Sequence, residues 1–146
     1  MSSVEMTDIS QRLRAARLRP TRQRMALAEL LYRQGDRHVT AEQLYDEALR
    51  DGVAVSLATV YNCLNQFTRA GLIREVVVDP GRSYFDTNVS QHHHFYHDRT
   101  GQLTDIPGEA IRLGDLPAAP DGTRVASAEV IIRLTDAAPL PDSDSQ

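Results

Sequence analysis

The strongest constraint on how this chain folds is a change of period at Gly71. Before it, apolar residues recur at helical spacing in short segments, each punctuated by proline or glycine. Ile9, Leu13 and Ala16 share one face over 9–17, and Pro20 stops that segment. Thr21 is a good N-cap for a second helix striped by Met25, Leu27, Ala28, Leu30 and Leu31, with Gly35 at its end. Thr40-Ala41-Glu42-Gln43 is a capping box. It opens a third helix whose expected buried face is Leu44, Tyr45, Ala48 and Leu49, closed by Gly52. Ser56 caps a fourth that runs to Ala70, with Val60, Leu64 and Phe67 inward. After Gly71 the pattern is β-branched: Leu72 to Val78, a turn at Asp79-Pro80-Gly81-Arg82, and a returning strand at Ser83 to Asp86. Short helices followed by a two-stranded hairpin are the plan of a winged helix-turn-helix. In that plan the helix before the hairpin enters the major groove and the hairpin touches the flanking backbone.

The second half predicts a strand over 92–98, a turn at Arg99-Thr100-Gly101, a strand over 102–106 and a short helix over 108–115. A Pro/Ala/Gly loop runs over 116–122, and a last strand follows over 124–134. The expected class is therefore α+β: a winged-helix domain over 9–87 and a small α/β unit with an antiparallel sheet over 88–136. Such a unit carries little core of its own and is expected to dimerise. Residues 1–8 are expected to be flexible, and the Pro/Asp/Ser-rich stretch 137–146 disordered.

Charge distribution matters more than the net value of −4. Between Ile9 and Met25 stand six arginines, at 12, 14, 17, 19, 22 and 24, and no acid. A local basic stripe is the footprint of a phosphate-binding face. The competing explanation is a solvated helix face in a chain that uses arginine throughout and has no lysine. The fourth helix adds to the phosphate reading. Thr59, Asn62 and Gln66 lie at helical spacing on its outward side, and Tyr61 projects near its start. Asn and Gln can pair with adenine, and Thr and Tyr can contact thymine methyls and phosphate.

Ser56-Leu57-Ala58-Thr59-Val60-Tyr61 with Leu64-Asn65-Gln66-Phe67 and Ala70-Gly71-Leu72 closely resembles the recognition helix of the ferric uptake regulator family. Leu18-Arg19-Pro20-Thr21 with Arg24, and His38-Val39-Thr40-Ala41-Glu42 with Leu44-Tyr45, are similar to it too. The resemblance covers roughly residues 9–135. It implies a homodimeric transcription regulator of double-stranded operator DNA, with a winged-helix domain, a dimerisation domain and a metal site between them. It implies that Arg19 enters the minor groove and Tyr61 contacts bases, with Ser56, Thr59, Asn62 and Gln66 on the same face. Asn62 replaces an arginine common in the family, which puts operator preference in doubt.

The histidines supply the sensor. Gln91-His92-His93-His94-Phe95-Tyr96-His97 holds four of the five in the chain. The resemblance implies metal ligands at His38, Asp86, His94 and Asp105, a set that suits Fe²⁺, Mn²⁺ or Zn²⁺. The family's Cys-x-x-Cys zinc site is absent, because His97 and Thr100 stand there, and no structural zinc held by four cysteines is expected. A second dimer-domain site also looks lost at Gln91, His93, Arg112 and Ala128. Three consecutive histidines resemble the iron response regulator branch of alpha-proteobacteria, which implies haem bound at His92, His93 and His94. On a strand His92 and His94 share one face and His93 the other, so one small ion cannot take all three. The alternative is an ordinary Fe²⁺-, Mn²⁺- or Zn²⁺-dependent repressor of the same family without haem.

An enzyme is not expected, since no His-Glu-x-x-His, Gly-rich phosphate loop or nucleophile elbow occurs. Single Cys63 is expected to be a small buried helix residue. It suits a reducing cytoplasm, as does an N-terminus without an apolar targeting segment.

Overall fold

The computed structural model describes residues 3–138. Two compact units divide between Ser90 and Gln91. The first holds α1 (Ser3–Ala15), α2 (Arg22–Tyr32), β1 (His38–Val39), α3 (Ala41–Arg50), α4 (Leu57–Arg69), β2 (Arg74–Asp79) and β3 (Arg82–Asp86). The second holds β4 (His92–His97), β5 (Leu103–Pro107), a single 3-10 turn (Gly108–Ala110) and β6 (Ile131–Leu134). The expected disordered tail lies, from residue 139 on, outside the described residues.

The first unit is a winged helix. Its core joins Leu13 of α1, Leu27 and Leu31 of α2, Leu44 and Ala48 of α3, and Val60, Leu64 and Phe67 of α4, all buried. Helix α1 begins at Ser3, earlier than the frayed start expected from its polarity. Asp8 and Arg12 stand one turn apart on it, with charged atoms 3.6 Å from each other, a spacing that supports an exposed helix face. Helix α1 also stops at Ala15, ahead of Pro20. Leu18 N–H bonds the Leu13 carbonyl at 2.9 Å and Arg17 N–H the Arg14 carbonyl at 2.9 Å, a Schellman cap with Arg17 at φ 62°. In α3 the buried face centres on Ala41, Leu44 and Ala48, and Leu49 is exposed rather than inward. One helical step of about 100° carries Leu49 past the edge of a face centred on those three residues.

The capping box forms as the sequence requires. Gln43 N–H donates to Thr40 Oγ1 at 3.1 Å, and Thr40 N–H donates to Gln43 Oε1 at 2.9 Å. Thr40→Ala is expected to cost about 1 kcal/mol, lowering the melting temperature of the unit by roughly 4–8 °C. Calorimetry checks this, and an unchanged transition would count against the cap.

The wing is a three-stranded antiparallel sheet in the order β1-β3-β2, not the expected two-stranded hairpin. His38 pairs with Asp86 and Val39 with Phe85. Two residues are too short to show an alternating pattern, and their partners lie far along the chain.

The second unit is a sheet in the order β5-β4-β6, so the histidine strand is central. β5 runs antiparallel to β4, pairing His94 with Asp105 and His92 with Pro107. β6 is parallel to β4, pairing His94 with Ile131, and departs from the all-antiparallel expectation. β5 delivers the chain to the His92 end of β4. The long connection between β5 and β6 returns to that same end, so β6 runs parallel to β4 on its far edge. The last strand is also shorter than expected, because residues 121–127 are all exposed and offer no buried face. The expected helix over 108–115 reduces to one 3-10 turn. Pro107 gives it no side-chain cap, and Ile111 is already extended. Gly108 is required there: a Cβ would meet the Gln91 carbonyl oxygen at 2.7 Å.

Candidate nucleic-acid interface and metal centre

The face of α4 is set at its start. Thr59 N–H donates to Ser56 Oγ at 3.1 Å, and the Ser56 and Thr59 hydroxyls lie 3.0 Å apart. Ser56 thus begins the helix as an N-cap while remaining exposed. Tyr61 and Asn62 are exposed on the next turn; Thr59 and Gln66 are half-buried. Arg19, Thr59, Asn62 and Gln66 line one shallow groove together with Arg24 and Cys63. The six residues expected at DNA lie on α4, at its cap or in the turn preceding α2, and four of them share this groove.

Two features of this face were not legible from spacing. Tyr61 donates its hydroxyl proton to Glu42 Oε1 of α3 at 2.6 Å. That bond is the main reason the phenol pKa is raised. Arg24, one of the six arginines of the basic stripe, reaches both Gln66 and the Arg19 backbone. Cys63 is buried as expected, and burial pushes its thiol pKa up against the smaller opposing effect of Arg24. It is a core residue beneath the groove.

In the second unit, alternation along β4 sends His92 and His94 to one face and His93 to the other. His92 and His94 stack edge to face with ring centroids 4.6 Å apart. Their Nε2 atoms lie 3.6 and 3.4 Å from the same oxygen, Oδ1 of Asp105. His94 is fully enclosed and His92 is buried, while the Asp105 side chain is 40% exposed. Donor atoms of the three lie within 4.8 Å of one another. Ligands about 2.1 Å from a tetrahedral ion are separated by roughly 3.4 Å. The spacing and the imidazole–carboxylate chemistry therefore fit a borderline divalent ion.

His93 has a different task. Its Nδ1 accepts the Val130 N–H at 2.9 Å, tying the approach to β6 onto the central strand. His38 and Asp86 are register partners in the first unit. Asp86 is buried and its Oδ1 accepts the Asn88 N–H at 2.9 Å. His38 is half-buried, its ring edge-on to Tyr84 at 6.1 Å. His97 builds a turn: its Nδ1 accepts from the N–H groups of Arg99 and Thr100 at 3.2 and 3.3 Å, and its Nε2 meets Asp136 at 2.8 Å. His97 and Thr100, where the resemblance would have placed Cys-x-x-Cys, form a hydrogen-bonded turn. Arg99 and His97 together hold the Asp136 carboxyl below its usual pKa. Of the ligands inferred from sequence, His94 and Asp105 meet. His92, inferred only for haem, joins them because it shares the face of His94.

A winged helix that turns neutral polar side chains outward on the helix before its wing, beside arginines of α2 and of the turn preceding it, has the make-up of a DNA-binding protein. Comparison with known proteins narrows this. The ferric uptake regulator family model matches residues 15–132. The ferric uptake regulation protein of Shigella flexneri is 34% identical over 125 residues, 84% of each chain. That of Klebsiella pneumoniae is 39% identical over 109 residues, 74% of this chain and 70% of its own. The structure of the ferric uptake regulator from Pseudomonas aeruginosa with manganese superposes with a TM-score of 0.67 at 26% identity, covering 88% of this chain and 97% of that one. The Vibrio cholerae regulator has the same fold, with a TM-score of 0.68.

This chain belongs to the ferric uptake regulator family. Members of that family are metal-dependent transcription regulators, not enzymes. Among the described residues no helix is long and apolar enough to cross a membrane.

Proposed function

We propose that this protein is an iron-responsive regulator that binds operator DNA as a homodimer. A divalent ion, Fe²⁺, Mn²⁺ or Zn²⁺, is the proposed signal. His94 and Asp105 hold it, with His92 on the same strand face and with Asp86 and His38 contributed by the winged-helix unit. The observation that carries the reading is the convergence of two buried imidazoles on one carboxylate oxygen. An ion that took donors from both units would fix the angle between them. It would thereby set the spacing of the two recognition helices in a dimer.

Haem is the second reading. Three imidazoles in a row exceed what one small ion takes from one strand face, and His92, His93 or His94 is a fitting axial ligand. Burial of all three, and the Val130 bond to His93, favour the ion over a macrocycle. Titration with Fe²⁺, Mn²⁺ and haem separates the two, following operator affinity and Soret absorbance. Affinity unchanged by all three ligands would refute the sensing role.

At the DNA face, Arg19, Ser56, Thr59, Tyr61, Asn62 and Gln66 are the proposed binding set, each contacting DNA or placing a group that does. Arg19→Ala is expected to weaken binding to all sequences and lower the salt slope by about one. A loss confined to one operator sequence would overturn a phosphate or minor-groove role for Arg19.

A further inference from the structure

Arg24 is half-buried, and its guanidinium joins two elements of the DNA face. Its Nη1 donates to the Arg19 carbonyl at 3.0 Å. Its Nη2 and Nε both donate to Oε1 of Gln66, at 2.9 and 3.3 Å. The Arg19 carbonyl also accepts the Thr21 N–H at 2.8 Å, closing a tight turn around Pro20. Thr21 Oγ1 in turn accepts the Arg24 N–H at 3.3 Å. One planar cation therefore ties the Arg19 turn to the recognition helix.

This geometry bears on Gln66. A glutamine reads adenine by using its amide oxygen and nitrogen together. Here the oxygen is engaged by two donors of Arg24, so it is not available together with the amide nitrogen for a base. We propose that Arg24 and Gln66 are a positioning pair that fixes the Arg19 backbone against α4, and that Gln66 does not read adenine. The inference rests on the DNA-binding reading above. The fork of a guanidinium suits this task, because its donors diverge in one rigid plane toward two acceptors. A lysine ammonium on a flexible stem does not hold both.

The test uses the full-length protein loaded with Mn²⁺ and duplex DNA enriched by the wild type from a random pool. Arg24→Ala and Gln66→Ala are each expected to weaken binding about tenfold, and the double variant about as much as either one. In an Arg19→Ala background, either substitution is expected to add less than about twofold. Arg24→Lys is expected not to rescue, and DNA reselected with Gln66→Ala is expected to keep the wild-type consensus. Should Arg24→Ala fail to fold, Gln66→Ala with and without Arg19→Ala carries the same comparison. Losses that multiply, or a consensus that relaxes at one A·T position with Gln66→Ala, would overturn the pair while leaving DNA binding intact. A wild type that enriches no sequence would instead refute the DNA-binding reading, and the pair with it.

Discussion

His94→Ala is expected to weaken divalent-metal binding by more than about 100-fold, because residues that merely orient a ligand are themselves worth about 10–100-fold. His94 is the fully enclosed member of the imidazole pair on β4, with its Nε2 3.4 Å from Asp105 Oδ1. Asp105→Asn is the gentler companion. It keeps shape at a half-open position and removes the charge, so its loss should be large without any effect on folding. His93→Ala is the contrasting control, expected to loosen the Val130 tie and leave metal affinity near wild type. Competition with a chromophoric chelator measures all three. Metal affinity of His94→Ala within threefold of wild type would overturn the assignment.

Phe67→Ala is expected to have the largest effect on stability. Its ring is 1% exposed, on the inner face of α4 among Val60, Leu64 and Ile73 in the same core. Removing a buried phenylalanine costs about 3–5 kcal/mol, the lost transfer energy plus the cavity left behind. Against a total of about 5–15 kcal/mol, much of the unit's stability would go. The melting transition should fall by at least about 12 °C. Operator binding should fall with it at 37 °C and recover on cooling. A shift under 3 °C would mean that the core closes around the gap and that α4 is held by other contacts.

The second unit shows where local pattern stops being informative. Alternation on β4 correctly separates His92 and His94 from His93, because the side-chain period of a strand is fixed by its backbone. It does not reveal that Asp105 lies opposite His94, which depends on the register of β5. Nor does it show that His93 serves the backbone of Val130, a residue brought in by the third strand. The parallel direction of β6 is set by the path of the long connection from Pro107 to Ile131, not by the pattern of residues 131–134.

The Gly71 period change determined a great deal by itself. It fixed four helices and a wing, because apolar spacing, N-caps such as Thr21, Thr40 and Ser56, and glycines at the helix ends act within a few residues. The family resemblance added the DNA face and a ligand set. Tertiary structure decided what those side chains do. Gln66 has the chemistry of a base reader, yet its oxygen is held by an arginine 42 residues away. Leu49 fits an apolar stripe, yet it faces solvent. Helix and strand periods come from local backbone sterics, so they are legible in sequence. Which partner a polar group meets depends on packing between elements distant in the chain, which no local spacing encodes.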